Sequence, residues 1–214
     1  MRTIKVTGKG RLKLRPDLTQ LTLTLGGTEP AYDAALARPA RETQTLAAAL
    51  AEAGFTRADL KTQTFRVDTE YESFEENGVW KQRFLGYRFL HVLQLEFDAD
   101  NARLGATLTA LAGCPVSAEL QIRYTVRDPD AAKNALLGRA VADAEKKAAV
   151  LAAAAGVQRG AIQSIDYTWG ELRFETQPMD ALIRPLVAKA RMEMDVEPDD
   201  IDVSDTVTVV WEIP

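Results

Sequence analysis

The stretch from Asp128 to Gly156 constrains the fold most strongly, because its residues mark both ends of one long helix. Asp128 is a favourable N-cap, and Pro129 suits the first turn, where its missing N–H costs nothing. A glycine such as Gly156 commonly ends a helix in the left-handed conformation. Between these ends, small apolar residues recur every three or four positions and predict a stripe that packs on a sheet: Ala132, Leu136, Ala140, Ala144, Ala148, Leu151 and Ala155.

The N-terminal segment alternates apolar with basic residues, which predicts a strand with one basic face. Gly8 and Gly10 interrupt the alternation and predict a kink or bulge in its middle. The basic residues could bind phosphates or the acidic run of a neighbouring subunit, and they could also protect a sheet edge from unwanted pairing, which we favour. They are Lys5, Lys9, Arg11, Lys13 and Arg15.

The middle of the chain predicts a strand, a helix and a long hairpin in succession. Leu21, Leu23 and Leu25 alternate with threonines as in a half-buried strand. A helical pattern follows from 31 to 53, and Pro39 inside it predicts a kink or an early break. Asn77-Gly78 is a strong two-residue turn signal between a strand at 60–74 and a returning strand that reaches residue 97. A short helix with caps at 98–101 and a strand at 116–126 lead into the long helix.

The order of these elements predicts an α+β fold with an internal repeat. A strand, a helix and two further strands recur at an offset of about 100 residues, approximately at 18–98 and 117–213. Helices would pack on mostly antiparallel sheet within a single domain spanning 1–214. A strand at 162–169 and a final strand from 203 flank a weakly periodic segment at 170–202.

Composition excludes several classes of protein. The chain has 214 residues, 46% of them hydrophobic, so it can bury a core without disulfides. A formal net charge of −5 disfavours nucleic-acid binding, and no apolar run is long enough for a membrane span. No signal peptide is visible, which predicts a cytoplasmic protein as the sequence stands, and a periplasmic one if a signal peptide was removed.

Residues that carry chemistry are sparse, and we predict no catalytic residue, metal or cofactor. His91 is the single histidine and Cys114 the single cysteine, so a structural role is the favoured interpretation of both. An acidic run could hold a hard cation but lacks the spacing of a calcium loop, so a solvated loop is favoured. The run comprises Glu193, Asp195, Glu197, Asp199, Asp200, Asp202 and Asp205.

Aromatic side chains cluster on the predicted hairpin and form a candidate subunit interface. Neighbouring glutamates would repel phosphate, which disfavours base stacking on nucleic acid. The aromatic residues are Tyr71, Phe74, Trp80, Phe84 and Tyr87.

Taken in order, several short motifs resemble the SIMPL-domain family, a mostly bacterial family whose molecular function is poorly understood. They are Val6-Thr7-Gly8-Lys9-Gly10, Pro16-Asp17, the Leu21 to Leu25 alternation, Gly54, Asp59-Leu60-Lys61-Thr62, Gly86-Tyr87-Arg88, the helix ending at Gly156 and the strand from Val203 to Ile213. The resemblance covers nearly the whole chain and implies a non-enzymatic, self-associating protein linked to the envelope or to stress. It implies no catalytic residues.

Three hypotheses about function follow. The first is a homo-oligomeric scaffold or binding protein that uses the hairpin and the 170–202 segment as assembly surfaces. The second is an enzyme with a carboxylate-lined pocket under that segment, with Glu171 or Glu175 as acid or base. The third is an adaptor that presents a sheet edge to a peptide.

Overall fold

A computed structural model describes residues 2–168, 170, 172–177, 179–183 and 198–214. Three helices and eight strands are defined within these residues. In chain order they are β1 (Arg2–Leu14), β2 (Leu18–Glu29), α1 (Tyr32–Glu52), β3 (Lys61–Glu76), β4 (Val79–Asp98), α2 (Asn101–Ala112), β5 (Ala118–Thr125), α3 (Pro129–Ala154), β6 (Ile162–Asp166), β7 (Met179–Ile183) and β8 (Ile201–Ile213).

The chain forms two compact units, each with its own sheet. Unit 1 comprises Met1–Asp17, Thr125–Thr176 and Pro198–Pro214, and its sheet has the strand order β1-β8-β6. Unit 2 comprises Leu18–Tyr124 and Gln177–Glu197, and its sheet has the order β3-β4-β2-β5-β7. Antiparallel pairing and sheet-packed helices confirm the α+β prediction. The single-domain description and the internal repeat stay predictions.

Helix α3 has the ends that the sequence predicts. The Asp128 carboxylate accepts from the N–H of Ala131 at 2.8 Å, and Gly156 has the left-handed φ of 68° just beyond the helix. The buried stripe repeats strictly every four residues: Leu136, Ala140, Ala144, Ala148 and Ala152. The predicted continuation through Leu151 and Ala155 is wrong, because the four-residue step reaches Ala152 and leaves Leu151 51% exposed.

Gly8 and Gly10 do not bulge strand β1, so the bulge that the sequence predicts there is wrong. Pairing of β1 with β8 runs in one register from Arg2–Ile213 to Leu14–Ile201. A Cβ on Gly8 would lie 2.0 Å from the Ala140 carbonyl oxygen, and one on Gly10 would lie 2.2 Å from that of Leu136. The glycines therefore allow the backbone of α3 to approach the sheet closely.

In unit 2, helices α1 and α2 share one hydrophobic core with strands β2, β4 and β5. The predicted early break of α1 is wrong, since the helix continues through the buried Pro39 to Glu52. Asp100 caps α2 by accepting from the N–H groups of Ala102 (2.7 Å) and Arg103 (3.1 Å), as the sequence predicts.

Strands β3 and β4 form the predicted hairpin. Asn77 and Gly78 have φ values of 55° and 75°, which are the two left-handed positions of a two-residue hairpin turn. We call residues 68–85 the arm, because all of them are exposed except the half-buried Glu70 and Phe74. Both faces of the arm are therefore largely open to solvent.

Candidate functional site

A β-bulge sets which arm aromatics share a face. The register of β3 and β4 shifts between Glu70, which pairs with Gly86, and Tyr71, which pairs with Phe84. Leu85 is the extra residue of this shift. Strict alternation would place Phe84 and Tyr87 on opposite faces, whereas the bulge brings them to the same one.

The predicted interface aromatics form a row on this face. Ring centroids are 5.5 Å apart for Tyr71 and Phe84 and 5.3 Å for Phe84 and Tyr87, both in edge-on geometry. Tyr32, at the start of α1, extends the row at 5.4 Å from Tyr87 and was missed by the sequence analysis. Trp80 follows Phe84 by alternation on the same face and is 71% exposed. We call Tyr32, Tyr71, Trp80, Phe84 and Tyr87 the aromatic row.

Phe74 lies on the opposite face of the arm, among charged residues. The Arg83 guanidinium lies 5.7 Å from the centre of its ring. Arg83 also forms an ion pair with Glu72, its neighbour across the strands, and Lys81 forms one with Glu76. The arm therefore has one aromatic face and one face of paired charges, and the structure separates Phe74 from the other four predicted residues.

His91 lies in a hydrogen-bonded network between α1 and β3. Thr43 donates its hydroxyl proton to the Pro39 carbonyl at 2.7 Å, so its oxygen accepts from the Nδ1–H of His91 at 3.2 Å. The Nε2 atom then accepts from the Thr62 hydroxyl at 2.9 Å. His91 is 7% exposed, and both of its ring nitrogens are satisfied.

A second bulge places Thr62 and Phe65 beside His91. The register shifts between Thr62, which pairs with Leu93, and Thr64, which pairs with Val92. Thr62 and Phe65, three residues apart, therefore lie on the same face of β3 as the His91 ring. The rings of Phe65 and His91 meet edge-on with centroids 5.2 Å apart.

Burial lowers the pKa of His91 below its ordinary value of 6.5, and the positive charge of Arg57 lowers it further. The folded protein therefore resists protonation of His91 at a pH where the unfolded chain already binds the proton. The free energy of unfolding should fall as pH drops below about 6.5, with a slope of at most about 1.4 kcal/mol per pH unit from this group.

Urea unfolding of wild type and His91→Gln between about pH 5 and 8 tests this expectation. Glutamine can bond both threonines but does not titrate. The variant should therefore lose the part of the pH dependence of unfolding that comes from His91 and keep the part that comes from the carboxylates. A stability difference between the two proteins that stays constant across this range would contradict the prediction.

Four of the five predicted basic residues lie along β1, and Arg15 follows its end; all five are exposed. Strand β1 is an outer strand of its sheet, and side chains of α3 cover its free edge. Three residues of α3, each four apart, bond backbone groups on that edge. The bonds are Arg139 Nη1 to the Arg11 carbonyl (2.9 Å), the Lys9 N–H to Asp143 Oδ2 (2.7 Å) and Lys147 Nζ to the Thr7 carbonyl (3.3 Å). These bonds oppose strand addition at this edge through side chains of α3. Edge protection by the basic side chains of β1 themselves stays a prediction.

Other candidate residues are not assembled into a site in the part of the chain that the structure describes. Cys114 is buried and makes no disulfide. Glu171 and the acidic residues 193–197 lie outside the described residues, whereas Glu175 is half-buried and forms a backbone bridge with Thr125. Asp200 is within 3.5 Å of Lys13, and Asp205 accepts from the Tyr167 hydroxyl at 2.8 Å. Among the described residues, no three His, Cys, Asp or Glu side chains are placed to hold a metal ion.

These observations define an α+β protein with two antiparallel sheets, an exposed arm and, across the described residues, no helix suited to crossing a membrane. A family model described as SIMPL, a protein of unknown function (DUF541), matches residues 4–211. The chain belongs to the SIMPL family, which confirms the resemblance seen in its motifs. No curated protein gives a significant match.

Proposed function

We propose that this SIMPL protein is a non-enzymatic, self-associating scaffold or binding protein and that its aromatic row is the contact between copies. The observation that carries the proposal is the exposure of Tyr71, Trp80 and Phe84 on one face of the arm. Exposed aromatic patches of this kind are typical of protein interfaces. The proposed link to stress rests on the family resemblance alone.

Nearly all residues of the arm are exposed in the described part of the chain. A two-stranded ribbon is only marginally stable in water. Packing of another protein surface against one of its faces would stabilise it. The charged face already has its ion pairs, Glu72 with Arg83 and Glu76 with Lys81. The aromatic face therefore gains most from being covered.

Charge favours contact through faces over contact through strand edges. Strand β3 is the outer strand of its sheet, and its arm portion carries Asp68, Glu70, Glu72, Glu75 and Glu76. Antiparallel pairing of two such edges would bring like charges together. Two aromatic rows can instead pack against each other about a two-fold axis, where each copy uses the same surface.

Replacing Phe84 with serine should weaken self-association about 30-fold, because a central interface aromatic contributes about 2 kcal/mol or more. Sedimentation over a range of protein concentrations measures this change. Phe74→Ser removes the same ring from the charged face and should leave the association constant nearly unchanged. A wild-type monomer throughout the micromolar range, or equal effects of the two substitutions, would contradict the proposal.

The environment of His91 disfavours the enzyme alternative at this position. A threonine hydroxyl bonded to a histidine resembles a nucleophile with its base, as Thr62 and His91 are arranged. A base must accept the proton, yet burial and the nearby Arg57 charge both oppose formation of the imidazolium. Thr43 offers a neutral oxygen to the other ring nitrogen, where a carboxylate would be needed to stabilise that charge.

The outer edge of strand β3 supports a second candidate function, the peptide adaptor. This edge is acidic along the arm and would suit a basic extended peptide. Binding of a lysine-rich peptide by the Phe84→Ser monomer would support this candidate, and no binding would remove it.

A further inference from the structure

A cleft of 710 Å³ opens beside His91, between α1 and the β3–β4 pair of unit 2. This volume lies within the range of about 300–1,000 Å³ that is usual for small-molecule sites. Leu36, Ala47 and Phe65 form much of its apolar lining. Leu36 and Phe65 are 40% and 45% exposed, which leaves substantial apolar surface for a ligand to cover.

Polar groups also line this cleft. Arg57 lines it, and its Nη1 donates to the Leu60 carbonyl at 2.8 Å, which holds the guanidinium in place. A guanidinium has five N–H donors, so it can bind an anion in addition to this contact. Thr62 also lines the cleft, and its hydroxyl is oriented by the bond to the buried His91.

We propose that this cleft binds a small amphipathic carboxylate, with the carboxylate on Arg57 and the apolar body against Leu36, Ala47 and Phe65. The chemistry of the lining selects this class. An apolar ligand without charge would leave the cation at the cleft unused, and a highly charged ligand would not match the apolar walls. The site does not depend on self-association, because all of its residues lie in unit 2 of a single copy.

Bound carboxylate would change the electrostatic environment of His91. The Arg57 charge disfavours the protonated imidazole, and a carboxylate placed on Arg57 offsets that effect. The pKa of His91 should therefore rise when ligand binds. This change reports binding directly, because the chain has one histidine and its ring gives one set of NMR signals in tag-free protein.

Titration with octanoate, followed through the His91 ring signals, tests the proposal. We expect saturable shifts with a Kd of about 1 mM, as befits a ligand of this size. Octanol, which has a similar chain and no charge, should bind at least about tenfold more weakly. The pH titration of the same signals should give a higher His91 pKa in saturating octanoate than in buffer.

Matched variants separate the site from general effects. Arg57→Gln should weaken octanoate binding about tenfold or more, whereas Arg66→Gln, which removes an exposed arginine of strand β3, should not. Arg57→Lys keeps the charge and should bind with intermediate affinity, provided that circular dichroism shows a folded protein. Absence of saturable shifts, equal binding of octanol, or unchanged binding by Arg57→Gln would each overturn the proposal.

Discussion

Replacing Gly8 with alanine is expected to lower the free energy of unfolding of unit 1 by roughly 3 kcal/mol, at the upper end of ordinary overpacking effects. The new Cβ would lie 2.0 Å from the Ala140 carbonyl oxygen and 2.5 Å from the Ala144 nitrogen. Both are backbone atoms of α3, so no side-chain rotation relieves the clash. The helix must move away from the sheet and loosen its packing on Val209 and Trp211.

Urea unfolding followed by tryptophan fluorescence measures this effect when Trp80 and Trp169 are first replaced by phenylalanine, so that the signal comes from Trp211, which is buried in the core of unit 1. Gly138→Ala is the matched control, because no atom lies within 4 Å of its added Cβ and alanine is about 0.5–1 kcal/mol better than glycine inside a helix. The same substitution should thus destabilise at Gly8 and stabilise at Gly138. Ala144→Gly should not rescue Gly8→Ala, because the closest atom is the backbone oxygen of Ala140. Equal effects at the two glycines would contradict this account.

Local chemistry made the helices and the hairpin predictable. Capping by Asp128 and Asp100 depends on residues within three positions, and the Asn77-Gly78 turn needs only its own two φ values. The role of Gly8 was not predictable in the same way. A glycine in a strand signals either a bulge or a close approach, and the partner that decides between them lies more than 130 residues away on α3.

The aromatic residues were identified from sequence, but their grouping depends on a bulge. Alternation alone would pair Phe84 with the wrong neighbours, and only the extra residue Leu85 brings it beside Tyr87. Gly86 stands at this bulge, but a glycine in a strand marks a close approach as readily as a bulge, so the sequence does not locate the shift. Tyr32 joins the row from another element, so its membership follows from how the chain packs.

The His91 cleft was hidden from sequence for similar reasons. Its polar groups come from α1, the loop before β3, and β3 and β4, and each is ordinary in its own segment. Thr43 and Thr62 lie 48 and 29 residues from His91, and the bulge between Thr62 and Thr64 determines that Thr62 faces the ring. The sequence predicts a structural role for His91, because a single histidine suggests no catalytic set. The structure adds that it orients a threonine that lines a cleft.

Replacing Gly86 with alanine is expected to cost roughly 3 kcal/mol or more, because strain and a clash act together. Gly86 has a φ of 145°, in the region that side chains rarely adopt. An added Cβ would lie 2.4 Å from the Glu29 carbonyl oxygen, at the end of strand β2. Gly86 pairs with Glu70 at the bulge, so relief of the clash must shift the base of the arm.

Two other glycines separate the causes of this loss. Gly78 has a positive φ of 75° but an open environment, so Gly78→Ala should show the backbone strain alone, about 1 kcal/mol. Gly26 has its nearest contact at 3.7 Å and no unusual φ, so Gly26→Ala should lie within about 0.5 kcal/mol of wild type. Urea unfolding of the three variants gives the comparison. If Gly86→Ala lowered the free energy of unfolding no more than Gly78→Ala does, the clash with Glu29 would contribute nothing to the loss.

Gly86→Ala should also weaken self-association although it removes no aromatic ring. The substitution acts at the point where β2 ends, beyond which β4 pairs only with β3. A shift there reorients Tyr71, Trp80 and Phe84, the members of the aromatic row that lie on the arm. Sedimentation at a urea concentration where the variant stays folded distinguishes this effect from unfolding. Undiminished association of folded Gly86→Ala protein would mean that the contact tolerates reorientation of the arm, and the aromatic row would then not be the surface that joins the copies.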